Sequence, residues 1–404
     1  MAAHEDKKNI VIIGGGIIGC TSAYYLTRHP SFNPKKHSIT LLEASSIAGG
    51  ASGKAGGLLG LWAYPSSLVP LSYRLHKELA DEHGGADRWG YRAVHCAQVD
   101  CVGQKSNKSS KQSKGEDVDL QKRSKEALGK LRAAGVPKEL DWIDPDALKY
   151  YDEMGDPSTT AQVHPYQFTT AMADLAREAG VDIRTQAPVD KINYSADGAS
   201  VESVTYTDKS PQGNGASPTL PATDIVLAAG PWTQRLLPSA PISAVRAHSV
   251  TIRPSRPVSA YCLFTEIKLG RETVAPEIYA RPNNEVYACG EGDRTVPLPS
   301  MSADVAVDQT RCDDIMAHVG SVSQELRDGE VTARQACYLP SVVSGGSSGP
   351  LVGQTGVKGL VLAAGHTCWG IQNGPGTGKL VGEFVYEGQA SSVKVEGLDP
   401  RLCL

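Results

Sequence analysis

No apolar run in this 404-residue chain approaches the ~20 residues that a membrane-spanning helix needs. A charge excess is lacking too. The 40 Lys and Arg stand against 44 Asp and Glu, a net −4 that gives no global attraction to nucleic acid. The nine cysteines are scattered; none forms Cys-x-x-Cys, and no Cys/His cluster has zinc spacing. That argues against a disulfide scaffold or structural zinc, and no metal is expected. Residues 1–8 are polar and lead straight into an apolar run, so no signal peptide is expected. The ending Arg401-Leu402-Cys403-Leu404 is neither a prenylation box nor a peroxisomal signal. Reduced thiols and a cytoplasmic location are therefore the expectation.

Hydrophobic content of 40% and charged content of 21% are ordinary for a globular chain. The length exceeds what one core usually covers, so two domains are expected. The most informative stretch is Asn9-Ile10-Val11-Ile12-Ile13-Gly14-Gly15-Gly16-Ile17-Ile18-Gly19. It reads as a strand, then Gly-x-Gly-x-x-Gly, then the start of a helix. Ile39-Thr40-Leu41-Leu42 follows as a second strand and ends on Glu43. This βαβ unit suits a dinucleotide. Gly14 allows the tight turn, Gly16 the approach of phosphates, and Gly19 close packing of the helix on the strand. Glu43, 24 positions after Gly19, can accept both ribose hydroxyls, which disfavours a 2′-phosphate.

Further along, helices are expected over 68–83, 164–179 and 315–326, and strands over 91–101, 181–184 and 189–192. Residues 103–114 form a Ser/Lys run without aromatics, read as a solvated loop rather than an anionic-surface contact. Residues 245–300 carry several β-like runs that suit an antiparallel sheet. Residues 370–378 are glycine-rich, with a helix expected from about 379 to 386. Nucleotide-type pieces thus lie at the start, middle and end. The expectation is an α/β chain: a Rossmann-type FAD-binding domain from 1–65, 155–245 and 335–404. An inserted α+β substrate domain with a mixed or antiparallel sheet would take 66–154 and 246–334.

A lone glycine fingerprint leaves NAD and FAD open. Three further features favour FAD. A second close-approach loop, 49–58, follows Glu43. Val226-Leu227-Ala228-Ala229-Gly230 is a small-residue strand end. Ala364-Gly365-His366 precedes a helix whose N-terminus can face the flavin carbonyl end.

These pieces, with Val-Leu-Ala-Ala-Gly-Pro-Trp-Thr at 226–233, Pro350-Leu351-Val352-Gly353 and Gly365-His366…Gly370, occur in one order. The chain resembles the D-amino-acid oxidase/sarcosine oxidase group of FAD-dependent oxidoreductases over nearly its whole length, and fungal members most. The resemblance implies one FAD and hydride transfer from a C–N bond of a small-molecule substrate, with O2 the expected acceptor; the alternatives are a dehydrogenase with another acceptor and a non-catalytic FAD-binding interaction protein. It assigns the ADP end to Gly14, Gly16, Ile17, Ile18, Gly19, Glu43, Ala44 and Ser45. The loop beside the flavin is Ser52, Gly53, Lys54, Ala55, Gly56, Gly57 and Leu58. Val189 would meet the adenine, and Ala228, Ala229, Gly230 and Trp232 form the middle strand. Gly365, His366, Gly370, Ile371 and Gln372 lie by the isoalloxazine. Cys337 falls where sarcosine oxidase-like members attach flavin through a thioether; the alternative is a small buried thiol.

Four residues are candidates at the reacting end. His366 is either a base or the residue that fixes its turn. Trp369 is either an aromatic wall or core. Lys54 is either a charge assisting reaction with oxygen or a solvated lysine. Gln372 stands where sarcosine oxidases carry Lys. Leu339-Pro340 stands where many members have Arg-Pro. An ordinary α-amino acid is therefore a poor substrate expectation. Arg246, Arg281 and Arg334 are the cations that could serve from another direction.

Overall fold

The computed structural model describes residues 7–104, 135–343 and 349–404. From residue 105 onward the Ser/Lys run lies outside the described residues. The fold is mixed α/β. Its first sheet has six strands, in the order Leu351–Gln354, Leu360–Ala364, Asp224–Leu227, Lys8–Ile13, His37–Leu42 and Asp182–Arg184. All neighbours are parallel except the edge pair Leu351–Gln354 and Leu360–Ala364. The central strand reads as a continuous apolar run because both of its faces are covered. Ile10 and Ile12 pack into the helical layer. Val11 and Ile13 pack beneath a three-stranded antiparallel sheet of Val189–Tyr194, Val201–Tyr206 and Thr219–Pro221.

A second, eight-stranded sheet takes in Glu330–Val342, Ile242–Arg253, Glu285–Cys289, Glu277–Arg281, Tyr261–Leu269, His95–Val102 and Leu148–Gly155 in that order, with Glu272–Val274 beside Tyr261–Leu269. It is antiparallel, as the 245–300 pattern suggested, except at one pair. Tyr261–Leu269 runs parallel to His95–Val102, a strand from much earlier in the chain. Helix Gln309–Gly320 and the side chains of Leu140 and Trp142 close its core.

The helical layer of the first sheet is built on one close contact. Helix Ile17–Arg28 lies parallel to helix Gly370–Glu387. Gly370, Gly374, Gly378 and Gly382 fall every fourth residue and so share one helix face. A Cβ on Gly374 would stand 2.7 Å from Ile17 Cγ1, and one on Gly378 would stand 2.5 Å from the Thr21 carbonyl carbon. Thr21 Oγ1 donates to Gly374 O at 2.8 Å across the gap. This corrects the expected start of the late helix. Glycine and Pro375 argue against a helix before 379 on propensity, yet the helix begins at Gly370. The close approach that only glycine permits outweighs the poor propensity.

Pro375 has no N–H for the carbonyl four residues back. That carbonyl, Ile371 O, instead accepts from His76 Nε2 at 2.9 Å. His76 comes from helix Val69–His83, is fully buried, and leaves Nδ1 without a partner among the described residues. Burial lowers its pKa to about 4, so the ring is neutral at pH 7. Among the described residues no helix is long and apolar enough to cross a membrane.

Replacing Gly378 by Ala should destabilise the fold by about 1–3 kcal/mol, because the new Cβ meets backbone that cannot yield. Urea melts compare the two proteins. His76 adds a pH dependence. Between about pH 6.5 and about pH 4 the unfolded chain binds a proton that the folded ring refuses, so stability falls as pH falls through that window. His76→Gln keeps a donor for Ile371 O but removes the titration. Between pH 7 and pH 4.5 the wild type should lose on the order of 2 kcal/mol more than His76→Gln.

Candidate functional site

The strands Lys8–Ile13, His37–Leu42 and Asp224–Leu227 all end at one edge of the first sheet. A crevice outside the carboxyl ends of parallel strands is where such sheets bind ligands. Here that crevice is a cavity of about 420 Å³. The turn at its floor has Gly14 at φ 111°, with Ala228 O where a Cβ would need to be. Gly16, Ile17 and Ile18 bring the N-terminus of the first helix to the wall. Gly16 provides no side-chain cap there. Ser52 Oγ does that work from the neighbouring loop, accepting from Ile17 N at 2.9 Å.

Glu43 and Ala44 line the end nearest Val189, with Asp190, Thr207 and Lys209 around them. The Glu43 carboxylate is held by its own chain. Oε2 accepts from Gly15 N at 2.7 Å, and Oε1 from Ser45 N at 2.9 Å and Ser45 Oγ at 3.0 Å. Ala228, Ala229, Gly230 and Trp232 line the middle, together with Ala55 and Ser52 of the 49–58 loop. His366, Gly370 and Ile371 line the far end with Leu339, Pro340, Thr367 and Cys368. The N-termini of both packed helices therefore open on the same cavity.

The other expected residues stand behind the wall. Gly19 packs helix on strand, since a Cβ there would overlap Gly14 O. Ser45 links Glu43 to Ser302 through an Oγ···Oγ contact of 2.5 Å. Gly53 packs on Ala48 O and Gly57 on Val163 O; Leu58 is buried in a short strand. Gly56 lies flat under the Tyr279 ring. Gly365 has φ 86° and abuts Val342. Gln372 is buried, and its Oε1 accepts from Gly60 N at 2.8 Å. Trp369 meets Trp62 and Tyr64 edge-on. Lys54 Nζ donates to Ala336 O at 2.9 Å, and burial pulls its pKa down. Cys337 is buried beside it; burial pushes the thiol up to about 11, opposed by the Lys54 charge.

His366 is buried, and its Nε2 lies 2.9 Å from Thr377 Oγ1, two turns into the late helix. Burial alone lowers its pKa to about 3, so the ring stays neutral. The three arginines that could have gripped a carboxylate are each committed. Arg246 Nε lies 3.1 Å from Asp293, with both side chains nearly out of solvent. Arg281 bonds Glu285 at 2.9 Å and the carbonyls of Ala55 and Gly56. Arg334 pairs with Asp313 at 3.1 Å.

One part of the wall had no sequence signature. Ser300, Met301 and Ser302 form a strap from the second sheet's loops. Trp232 Nε1 donates to Pro299 O at 2.7 Å, and Arg235 donates to Ser300 O at 2.8 Å and Pro299 O at 2.9 Å. Arg235 lies three residues after Trp232 on the turn following the small-residue strand, a spacing that would have placed it on the same side.

A family model described as FAD dependent oxidoreductase, DAO, matches residues 9–384. "Putative oxidoreductase TDA3" of Saccharomyces cerevisiae is 37% identical over 498 aligned positions, which span 98% of this chain and 95% of that protein. "Putative oxidoreductase C1F5.03c" of Schizosaccharomyces pombe is 36% identical over 98% of each. Glycine oxidase from Geobacillus kaustophilus shares the fold, with a TM-score of 0.70 over 97% of this chain and 98% of its own, at 19% identity. L-proline dehydrogenase from P. horikoshii does so at 0.70 over 98% and 97%, at 17% identity. The chain belongs to the DAO family of FAD-dependent oxidoreductases.

Proposed function

We propose that this flavoenzyme oxidises the C–N bond of an amine, with O2 as electron acceptor. The residues at the cavity fit FAD. Glu43 offers an oriented carboxylate where a ribose would lie. Gly14, Gly16 and Gly230 present bare backbone to the cavity, and a Cβ on Gly230 would meet no protein atom within 4 Å. The helix N-terminus at Ile17 suits a diphosphate, and the one at Gly370 suits the flavin's electron-rich end. When bound, FAD would supply two-electron oxidation of the carbon beside nitrogen, with O2 the proposed sink and imine and hydrogen peroxide the products.

The observation that carries the amine reading is the commitment of the cations. Arg246, Arg281 and Arg334 are all paired, and none lines the cavity. Among the described residues the one guanidinium that lines the cavity is Arg235, which holds the strap carbonyls of Pro299 and Ser300, so none of the three expected arginines is there to grip a carboxylate. C–N chemistry is favoured because the solved relatives are named for oxidation of amino acids. In this reading His366 and Gln372 are positioning residues. His366 ties the turn to the late helix, and Gln372 ties that helix to the strand Leu58–Gly60. Trp369 borders the substrate side. Lys54 and Cys337 border the ring, where the ammonium assists reaction with oxygen. The first sheet and its helices form the FAD-binding domain and the second sheet the substrate domain.

Two measurements check this reading. Mixed anaerobically with the purified holoprotein, a secondary or primary amine should bleach the flavin band. In air the same mixture should release peroxide, read by a peroxidase-coupled dye. Bleaching without peroxide would overturn the oxygen assignment and leave the amine step. Glu43→Ala should weaken FAD binding by about 10–100-fold, the worth of charge-assisted bonds to hydroxyls. Fluorescence titration of apoprotein reads that loss.

A further inference from the structure

Beyond the turn Thr367–Trp369 lies a group of side chains that the cofactor cavity does not use. Trp369 meets Trp62 with ring centres 5.6 Å apart, and Tyr64 at 6.0 Å. Trp62 meets Phe264 at 6.0 Å, and Phe264 meets Tyr279 at 6.1 Å. The row is continuous. It runs from exposed rings, Trp62 at 37% and Tyr64 at 42%, to the buried Tyr279. At its inner end Tyr279 rests on Gly56, in the loop proposed to run beside the flavin.

Glu277 sits at this inner end. It opens strand Glu277–Arg281, two residues before Tyr279 and so on the same sheet face. Register pairs it with Phe264 on one side and Cys289 on the other. Its Oε2 accepts from the Tyr279 hydroxyl and from Cys289 Sγ at 3.8 Å. Oε1 accepts no hydrogen bond among the described residues, and no basic side chain there pairs with the group. Burial raises the carboxyl's pKa in spite of those donors. Its charge reaches the thiol of Cys368, which lines the cofactor cavity. Nearby cations are spent elsewhere. Arg281 is held by Glu285 and backbone carbonyls, and Arg92 by Gln162 and Ala280 O.

An unpaired carboxylate behind a row of aromatic rings is a receptor for positive charge. The rings attract a cation through their faces, and the acid supplies the counter-charge in a place poor in water. We propose that Glu277 and the row from Tyr279 to Tyr64 select a cationic amine that carries no carboxylate. Glu277 is the specificity-determining residue. The inference rests on the amine reading above and narrows it to a substrate class. A carboxylate would meet Glu277 as a like charge, and Arg246, Arg281 and Arg334 are already paired.

The test uses benzyltrimethylammonium, which has no N–H to react, with benzoate as the anionic control. Each is titrated into holoprotein while the flavin spectrum and tryptophan fluorescence are followed. The cation should bind saturably, and benzoate should leave both signals unchanged. Glu277→Gln should weaken the cation on the order of 10-fold without changing FAD content, and Trp62→Leu, at an exposed ring, by about 3-fold. Equal affinity in Glu277→Gln, or preference for benzoate, would overturn the proposal. A colourless protein whose tryptophan signal still answers to the cation would sink the flavin reading and leave this one standing.

Discussion

The rest of the site depends on the parallel contact between helices Ile17–Arg28 and Gly370–Glu387. Their sequences are 353 residues apart at the Thr21–Gly374 bond. Because they run parallel and start level, both N-termini face one cavity. Each contributes a partial positive charge there. Had the late helix carried side chains at 374 and 378, its axis would stand further off and its first turn would leave the wall. Glycine in a helix interior costs about 1 kcal/mol and proline about 3. The cost is met by burial of the whole interface and, at Pro375, by an outside donor. His76 completes the helix by replacing the missing N–H, so one buried imidazole on a third helix is part of the backbone bonding of the second.

The second sheet reaches the cavity in two ways, and both use backbone more than side-chain chemistry. Its long strands Ile242–Arg253 and Glu330–Val342 pair along almost their full length. They carry Leu339 and Pro340 to the wall and end against Gly365, where Val342 fills the space a Cβ would take. The strap at 299–302 is the other route. Trp232 and Arg235 from the first sheet's turn hold its carbonyls, and Ser45 meets Ser302 near Glu43. The Glu43 carboxylate is thereby linked through the hydroxyls of Ser45 and Ser302 to the second unit.

The parts legible in the sequence were those where local pattern and tertiary use agree. The apolar run at 9–13, the turn at Gly14 and the acid at the end of the second strand lie within one βαβ unit, and local spacing fixes all of them. Ser52 was assigned to the cofactor loop, but its capping of Ile17 needed the fold. Propensity, a local quantity, points to a helix start near 379, whereas the glycine face that lets the helix begin at Gly370 is a tertiary feature. The parallel pair of His95–Val102 and Tyr261–Leu269 was hidden for a similar reason: strand direction is set by the connection, and the alternation of side chains is the same either way. The strap carries Pro and Ser with no period, so nothing in its residues marks it as cavity wall.

Arg246 is paired with Asp293 and Arg281 with Glu285, whereas Lys54 and Arg235 have only backbone carbonyls as partners among the described residues. His366 is neutral through burial. A group with so low a pKa is a weak base at pH 7, and a paired guanidinium is a poor anion receptor, so His366 is ill suited to proton abstraction and Arg246, Arg281 and Arg334 to carboxylate capture. What remains is fixed geometry, two helix dipoles and the lone acid Glu277. Hydride removal from a carbon beside nitrogen asks for little else. It needs the reacting C–H held in place and water kept away. An amine bound as its ammonium must first give up that proton, and the positive charge that then grows on the neutral nitrogen as the hydride leaves is of the sign a nearby carboxylate stabilises.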